Sequence, residues 1–256
     1  MDERVAVVVG GGSGIGAAIA GALAADGCRV TVADRDEPKA RDVAAGLGGR
    51  HAAAAVEVTD EATVEALLDG VTAREGGLDV VVNCAGVSTI GLVTDLDVAE
   101  FRRVVDVDLT GGFVVLKHAG RRIRDGGVIV TLTSLNARQP AAGMSAYCAA
   151  KAGLAMLVQV AALELAARGV RVNAISPGLV ETPLTAPALE IPGIAEDYLE
   201  NTPLGRAGTP QDVAALARFV CSGEASWLTG EVLDLNGGAH LRRYPDLLGH
   251  IAKAFG

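Results

Sequence analysis

The chain predicts an α/β fold: an open, parallel, doubly wound sheet with a layer of helices on each face. Three observations carry this. Short β-branched runs alternate with alanine-rich stretches of helical length. Several of those runs are apolar without polar alternation, as strands covered on both faces require. No linker, low-complexity tract or internal repeat interrupts the rhythm, so residues 1–256 are expected to form one domain.

In chain order, "VAVVV" predicts a strand at Val5–Val9, and the glycine-flanked segment after it a helix over 14–26. Further strands are expected at Arg29–Ala33, Ala54–Val58, Leu78–Asn83, Val128–Thr133, Val170–Ile175 and Val232–Leu235. Helices are expected over 37–46, 60–75, 97–123, 146–168 and 210–221. This alternation implies right-handed crossovers between parallel strands. Two regions depart from it. Residues 179–208, rich in proline and too long for an ordinary connection, predict a substrate lid or binding loop. The segment 239–256 extends past the last strand and is basic and amphipathic; it is expected to lie solvated or fray, with contact to a neighbouring subunit's pocket as the alternative.

Half of the residues are hydrophobic and 21% are charged, which describes a folded globular chain. The net charge of −9 argues against general affinity for nucleic acid or anionic membrane, so neither is expected as a partner. Cys28, Cys84, Cys148 and Cys221 lack zinc or disulfide spacing and read as small hydrophobes in a reduced compartment. His51, His118, His240 and His250 lack ligand spacing as well, and no metal site is expected. The beginning, "MDERVAVVVGGG", reads as neither a signal peptide nor a membrane span, which makes the cytoplasm the expected location.

"GGGSGIG" follows the first strand and opens a helix. Gly10, Gly14 and Gly16 let a phosphate approach the backbone, where the helix presents unpaired N–H groups and the positive end of its dipole. Gly16 also permits close packing of helix on strand. In this strand–loop–helix setting the glycines predict a dinucleotide site. Asp34 ends the second strand, 18 residues after Gly16. Its carboxylate suits the hydroxyls of an adenosine ribose and repels a 2′-phosphate. Arg35 follows it, but the loop position beside Gly14 holds Ser13, not a basic residue, so NAD is expected over NADP.

Tyr147 and Lys151 lie four apart in "YCAAK" and share a helix face. An ammonium near a phenol stabilises phenolate, which is what proton exchange with an alcohol or ketone requires. Ser134 ends the apolar run "GVIVTLTS", and ligands sit at strand C-termini in open α/β sheets. The loop between Ser134 and Tyr147 is long enough to bring the hydroxyl back over the helix start.

These motifs, with "NCAG" (83–86), "RVNAISPG" (171–178), "ETPL" (181–184) and "LTGEVLDLNGG" (228–238), resemble the short-chain dehydrogenase/reductase family over nearly the whole chain. The resemblance implies a Rossmann-type sheet of seven strands in the order 3-2-1-4-5-6-7, and commonly a homotetramer. It implies that Tyr147 is the general acid/base and that Ser134 hydrogen-bonds the substrate oxygen. Lys151 would hold the nicotinamide ribose beside Tyr147. Ser13, Ile15, Asn83, Ala85 and Gly86 would line the cofactor, while Pro177, Gly178, Val180 and Thr182 would cover the nicotinamide.

Three departures from the family pattern stand out. Val9 replaces the usual Thr before the first glycine. Glu57, followed by Val58, replaces the usual Asp near adenine. Asp108, in "DVDLTG", stands where an Asn normally supports a water chain to the lysine, so its part in proton relay is open. The leading expectation is an NAD-dependent oxidoreductase interconverting a secondary alcohol and a ketone. The alternatives are an NADPH-dependent 3-oxoacyl-thioester reductase and a non-catalytic nucleotide-binding sensor or scaffold. The apolar 184–204 loop, with Pro183 before it and Pro187 and Pro192 within it, carries Glu190, Glu196, Asp197 and Glu200. It suits a medium-sized neutral cyclic or aliphatic alcohol, the acids facing water.

Overall fold

The computed structural model describes residues 3–255; Met1, Asp2 and Gly256 of the expected domain lie outside them. Its strands are β1 (Val5–Val9), β2 (Arg29–Asp34), β3 (Ala52–Ala55), β4 (Val80–Asn83), β5 (Val128–Leu132), β6 (Arg171–Pro177) and β7 (Val232–Leu235). All pair in parallel in the order β3-β2-β1-β4-β5-β6-β7, as expected. The helices are α1 (Gly14–Ala25), α2 (Glu37–Gly46), α3 (Glu61–Glu75), α4 (Val98–Val105), α5 (Gly111–Arg122) and α6 (Ser145–Leu165). They continue with α7 (Ala186–Leu189), α8 (Ile194–Glu200), α9 (Pro210–Cys221) and α10 (Leu247–Phe255).

The unalternating strands follow from burial on both faces. Val5, Val7 and Val9 of β1 point into one core with Leu68 and Val71 of α3, Val115 and Ala119 of α5, and Val158 of α6. Ala6 and Val8 point into the other, with Ile19 and Leu23 of α1 and Val213, Ala217 and Val220 of α9. A strand with two apolar partners has no face on which polar residues are favoured. Although α6 is long and apolar enough to cross a bilayer by composition, Leu154 and Val158 bury its inner face in the protein.

Three expectations are corrected and one is refined. The third strand lies at Ala52–Ala55, not Ala54–Val58: Ala53 pairs with Val32, and Val56 and Val58 turn inward beyond the ladder as core residues. The helix expected over 97–123 is divided by a π-helical turn, Asp106–Thr110, into α4 and α5. Gly111 and Gly112 follow that turn, and a Cβ on either would meet Val58 Cγ2 at 2.8 Å or Leu154 Cδ1 at 2.6 Å, so the helix approaches both neighbours closely. The 179–208 region, expected as a lid or binding loop, is partly helical: it carries α7 and α8, with Pro187 in the first turn of α7, where proline suits a helix. The tail covers its own chain: Leu247 of α10 packs with Ile194 of α8 and Met144.

Strand order reverses about β1, whose neighbours are β2 on one side and β4 on the other. Crossovers therefore leave in opposite directions there, and the C-terminal ends of β1 and β4 border a crevice.

Candidate active site

The crevice is a cleft of about 310 Å³. Gly10, Ser13, Gly14, Ile15, Gly16, Asp34, Glu57, Val58, Ala85, Gly86 and Thr182 line it. Gly10 has φ +73°, and a Cβ there would meet Ala85 N at 2.7 Å, so the loops after β1 and β4 touch through backbone. Ser13 precedes α1 without a side-chain cap bond, which leaves the first-turn N–H groups to a ligand. The Asp34 carboxylate is fixed by two backbone donors: Gly12 N–H to Oδ2 at 2.9 Å and Asp36 N–H to Oδ1 at 3.0 Å. A bare helix terminus, a side-chain-free loop and a fixed carboxylate at the next strand end fit a dinucleotide.

A second cavity, of about 380 Å³, adjoins it, and Leu184 lines both. Ser134, Tyr147, Pro177 and Gly178 face this cavity. Ser134 starts the 3₁₀ turn Leu135–Ala137, its hydroxyl accepting from Asn136 N–H at 3.2 Å while lining the pocket. Asn83 is buried, its Oδ1 accepting from Ala85 N–H at 3.2 Å, and so braces the cofactor loop without lining the cleft. The Val180 side chain is buried in the core cluster that holds Val213, so only its backbone is left for the expected contact with the nicotinamide.

Lys151 lies behind Tyr147, with Nζ 5.5 Å from the ring centroid. Nζ donates to the Leu132 carbonyl at 3.2 Å and sits 3.4 Å from Asp108 Oδ2. The other Asp108 oxygen accepts from Val87 N–H at 2.8 Å. Burial pushes the Asp108 carboxyl up, opposed by Lys151 and the Val87 amide. Burial also works against charge on Lys151, but Asp108 and then Tyr147 outweigh it, and the ammonium is held above its ordinary value. Asp108 is thus a buried counter-charge to the lysine rather than a solvated acid.

The sequence reading missed two pocket residues. Tyr198 of α8 and Tyr244 of the tail meet edge to face, with centroids 5.8 Å apart and hydroxyls 2.8 Å apart. It also placed Asp197 in water. Asp197 is buried and accepts from Arg243 Nη2 at 2.5 Å, Asn201 Nδ2 at 2.9 Å, Asp246 N–H at 2.8 Å and His250 Nε2 at 3.2 Å. These donors outweigh burial and hold its carboxyl down at about 2. Asp197 thereby ties α8 to the tail that closes the pocket.

A seven-stranded, doubly wound sheet with this crevice, and a Ser–Tyr–Lys set beside it, defines a nicotinamide-dinucleotide oxidoreductase. The comparisons refine the class. A family model described as enoyl-(acyl carrier protein) reductase matches residues 9–240. The chain is 42% identical over 244 residues to cis-4-hydroxycyclohexanecarboxylate dehydrogenase of Sinomonas cyclohexanicum, covering 92% of this chain and 96% of that one. It is 37% identical to 3beta-hydroxysteroid dehydrogenase 1 of Eggerthella lenta, covering 96% of each. A solved short-chain type dehydrogenase/reductase from Mycobacterium ulcerans superposes with a TM-score of 0.95 at 38% identity, over 100% of this chain and 96% of that one. The chain belongs to the short-chain dehydrogenase/reductase family.

Proposed function

We propose that the protein interconverts a secondary alcohol and a ketone using NAD(H), with Tyr147 as general acid/base. The observation that carries this reading is one pocket wall formed by Ser134 and Tyr147, with the Lys151 ammonium behind the phenol and the dinucleotide cleft adjoining. A bound nicotinamide would supply the two-electron, hydride-transfer chemistry that the chain's own residues cannot. The chain supplies orientation and a place for the proton. Ser134 donates to the substrate oxygen, and Tyr147 takes the hydroxyl proton during oxidation or returns it during reduction. Lys151 stabilises the phenolate between those steps, held in place by Leu132 O and Asp108.

Gly10, Ser13, Gly14, Ile15 and Gly16 are assigned to the pyrophosphate, Glu57 and Val58 to the adenine side. Ala85, Gly86 and Thr182 are assigned to the body of the cofactor, with Asn83 bracing their loop. Pro177, Gly178, Tyr147 and Lys151 border the nicotinamide end. Asp34 accepts from the ribose hydroxyls; a 2′-phosphate there would face an oriented carboxylate, which favours NAD over NADP.

The test follows nicotinamide absorbance across a panel of alcohols and ketones with both cofactors. Tyr147→Phe is expected to lower kcat/KM by at least about 100-fold, within the range for losing an acid/base group. Asp34→Ser is expected to raise the NADP/NAD ratio of kcat/KM. Equal turnover by wild type and Tyr147→Phe sinks the role of the phenol, and an NADP preference in wild type sinks the cofactor reading.

We also propose a cytoplasmic homo-oligomer. Four free thiols support the location, and Phe113, Met156, Val160 and Leu163, exposed apolar residues of α5 and α6, support assembly. A monomeric mass by light scattering would contradict the latter.

A further inference from the structure

The end of the substrate pocket formed by α8 and the tail offers acceptors, while its phenol, amide and hydroxyl donors are already engaged. Tyr244 donates to Asn136 Oδ1 at 3.3 Å and Tyr198 pairs with Tyr244 at 2.8 Å. Burial pushes both phenols up, so both keep their protons. With Tyr198 donating to Tyr244 and Tyr244 to Asn136, both phenolic protons are engaged, and the oxygens of these two pocket-lining residues keep acceptor capacity. The neighbouring amides are occupied in the same way. Asn136 Nδ2 donates to Gln139 O at 3.1 Å, and Gln139 Nε2 donates to Arg242 O at 2.8 Å. Asn201 Nδ2 donates to Asp197, and Thr202 Oγ1 to the Tyr198 carbonyl at 2.8 Å.

Charge points the same way. Arg243 is the one charged side chain lining the cavity among the described residues, and it is paired with Asp197, whose carboxyl is ionised at working pH. A carboxylate entering this pocket would be desolvated without a free counter-charge. The other walls are apolar, with Leu135, Leu184, Leu189, Ile191 and Leu247 among them.

We propose that Tyr198 and Tyr244 form a distal acceptor subsite that selects an apolar ring or chain bearing a second hydroxyl and turns away a carboxylate. The substrate class is then a neutral diol, or the matching hydroxy-ketone, oxidised or reduced at the carbon nearest Tyr147. This rests on the alcohol–ketone reading above. It also separates this chain from its relative named for a hydroxycyclohexanecarboxylate.

The experiment measures kcat/KM for cyclohexane-1,4-diol, 4-methylcyclohexanol and 4-hydroxycyclohexanecarboxylate, each as cis and trans isomers, with wild type and Tyr198→Phe. In wild type the better diol is expected to exceed the better methyl analogue by at least about 10-fold, as sites that read a hydroxyl do, with the carboxylate lowest. Tyr198→Phe is expected to reduce the diol/methyl ratio to within about threefold. A wild-type preference for the methyl analogue or the carboxylate overturns the proposal, as does an unchanged ratio in Tyr198→Phe. Calorimetric binding of the same three compounds to wild type reads the same ranking without turnover. Binding in the expected order with no oxidation of any alcohol would defeat the oxidoreductase reading and leave the subsite standing.

Discussion

A methyl group added at Gly16 tests the cofactor cradle most sharply. Its Cβ would lie 2.9 Å from the Gly10 carbonyl carbon and 3.0 Å from Gly11 Cα, with the Gly10 oxygen closer still. All three are backbone atoms, so no side chain can swing aside. Ordinary contacts begin near 3.4 Å, and relieving the nearest of these requires α1 and the glycine loop to part by roughly 1 Å or more; overpacking of this kind costs about 1–3 kcal/mol. The better helix propensity of alanine returns up to about 1 kcal/mol. The net expectation for Gly16→Ala is a loss of about 1–2 kcal/mol, or roughly 2–8 °C in Tm for a chain of this size. Because the parted segments are those that hold the pyrophosphate, dinucleotide affinity should fall by at least about 10-fold, about 1.4 kcal/mol. Gly21→Ala in the same helix is the control. Its Cβ would meet only Leu47 Cδ2, at 3.9 Å, so it should gain about 0.5–1 kcal/mol and leave cofactor affinity unchanged. Urea midpoints at constant m, with calorimetric Kd for NAD, give both readouts. Wild-type stability and affinity in Gly16→Ala would refute the reasoning.

Three further outcomes are expected. Asp197, held at about 2 against an ordinary 3.8, contributes roughly 2 kcal/mol, fully present above about pH 4 and lost as pH falls toward 2. In urea unfolding, Asp197→Asn should therefore be less stable by at least that amount at pH 7, with the gap narrowing at pH 3; a constant gap refutes the linkage. Asp108→Ala leaves Lys151 and the Val87 N–H buried without their partner and should cost about 3 kcal/mol, while adding Lys151→Met should recover most of it; additivity in this double-mutant cycle would show that the two groups are not coupled. Burial pushes the Cys84 and Cys221 thiols up to about 12, so neither should react with a thiol reagent at pH 8 until the protein unfolds; more than two thiols titrating in the native state would contradict this.

The strands were legible because valine runs such as Val80–Val82 serve two cores at once, a pattern unlike that of a one-sided strand. The third strand was misplaced for the converse reason. "AAAA" at the sheet edge has no β-branched residue, whereas Val56 and Val58 carry the apolar signal but pack beyond the ladder. Local motifs placed Ser134, Tyr147 and Lys151, since a strand end and one helix turn set their positions. Tyr198 and Tyr244 were not legible, being 46 residues apart on segments brought together only when Asp197 binds Arg243, His250 and the Asp246 amide. Asp197 looked solvated because its donors come from the tail, and burial is a property of the assembled roof.

The π-helical turn at Asp106–Thr110 acts as a rotational splice. An i→i+5 turn accommodates one more residue than the α-helix around it, so it changes the angular phase of everything downstream by about 100°. Upstream, Val104 of α4 faces Ala146 and Ala150 of α6; downstream, Val115 and Ala119 of α5 face the core shared with α3. A continuous helix could not satisfy both partners with this sequence, because one of the two apolar stripes would be turned away. Asp108 sits inside the splice, where the phase change is taken up, and that aims its carboxylate at Lys151. The length of this segment is thus as much a part of the site as its side chains: winding these same residues into an unbroken helix would turn one of those faces away from its partner.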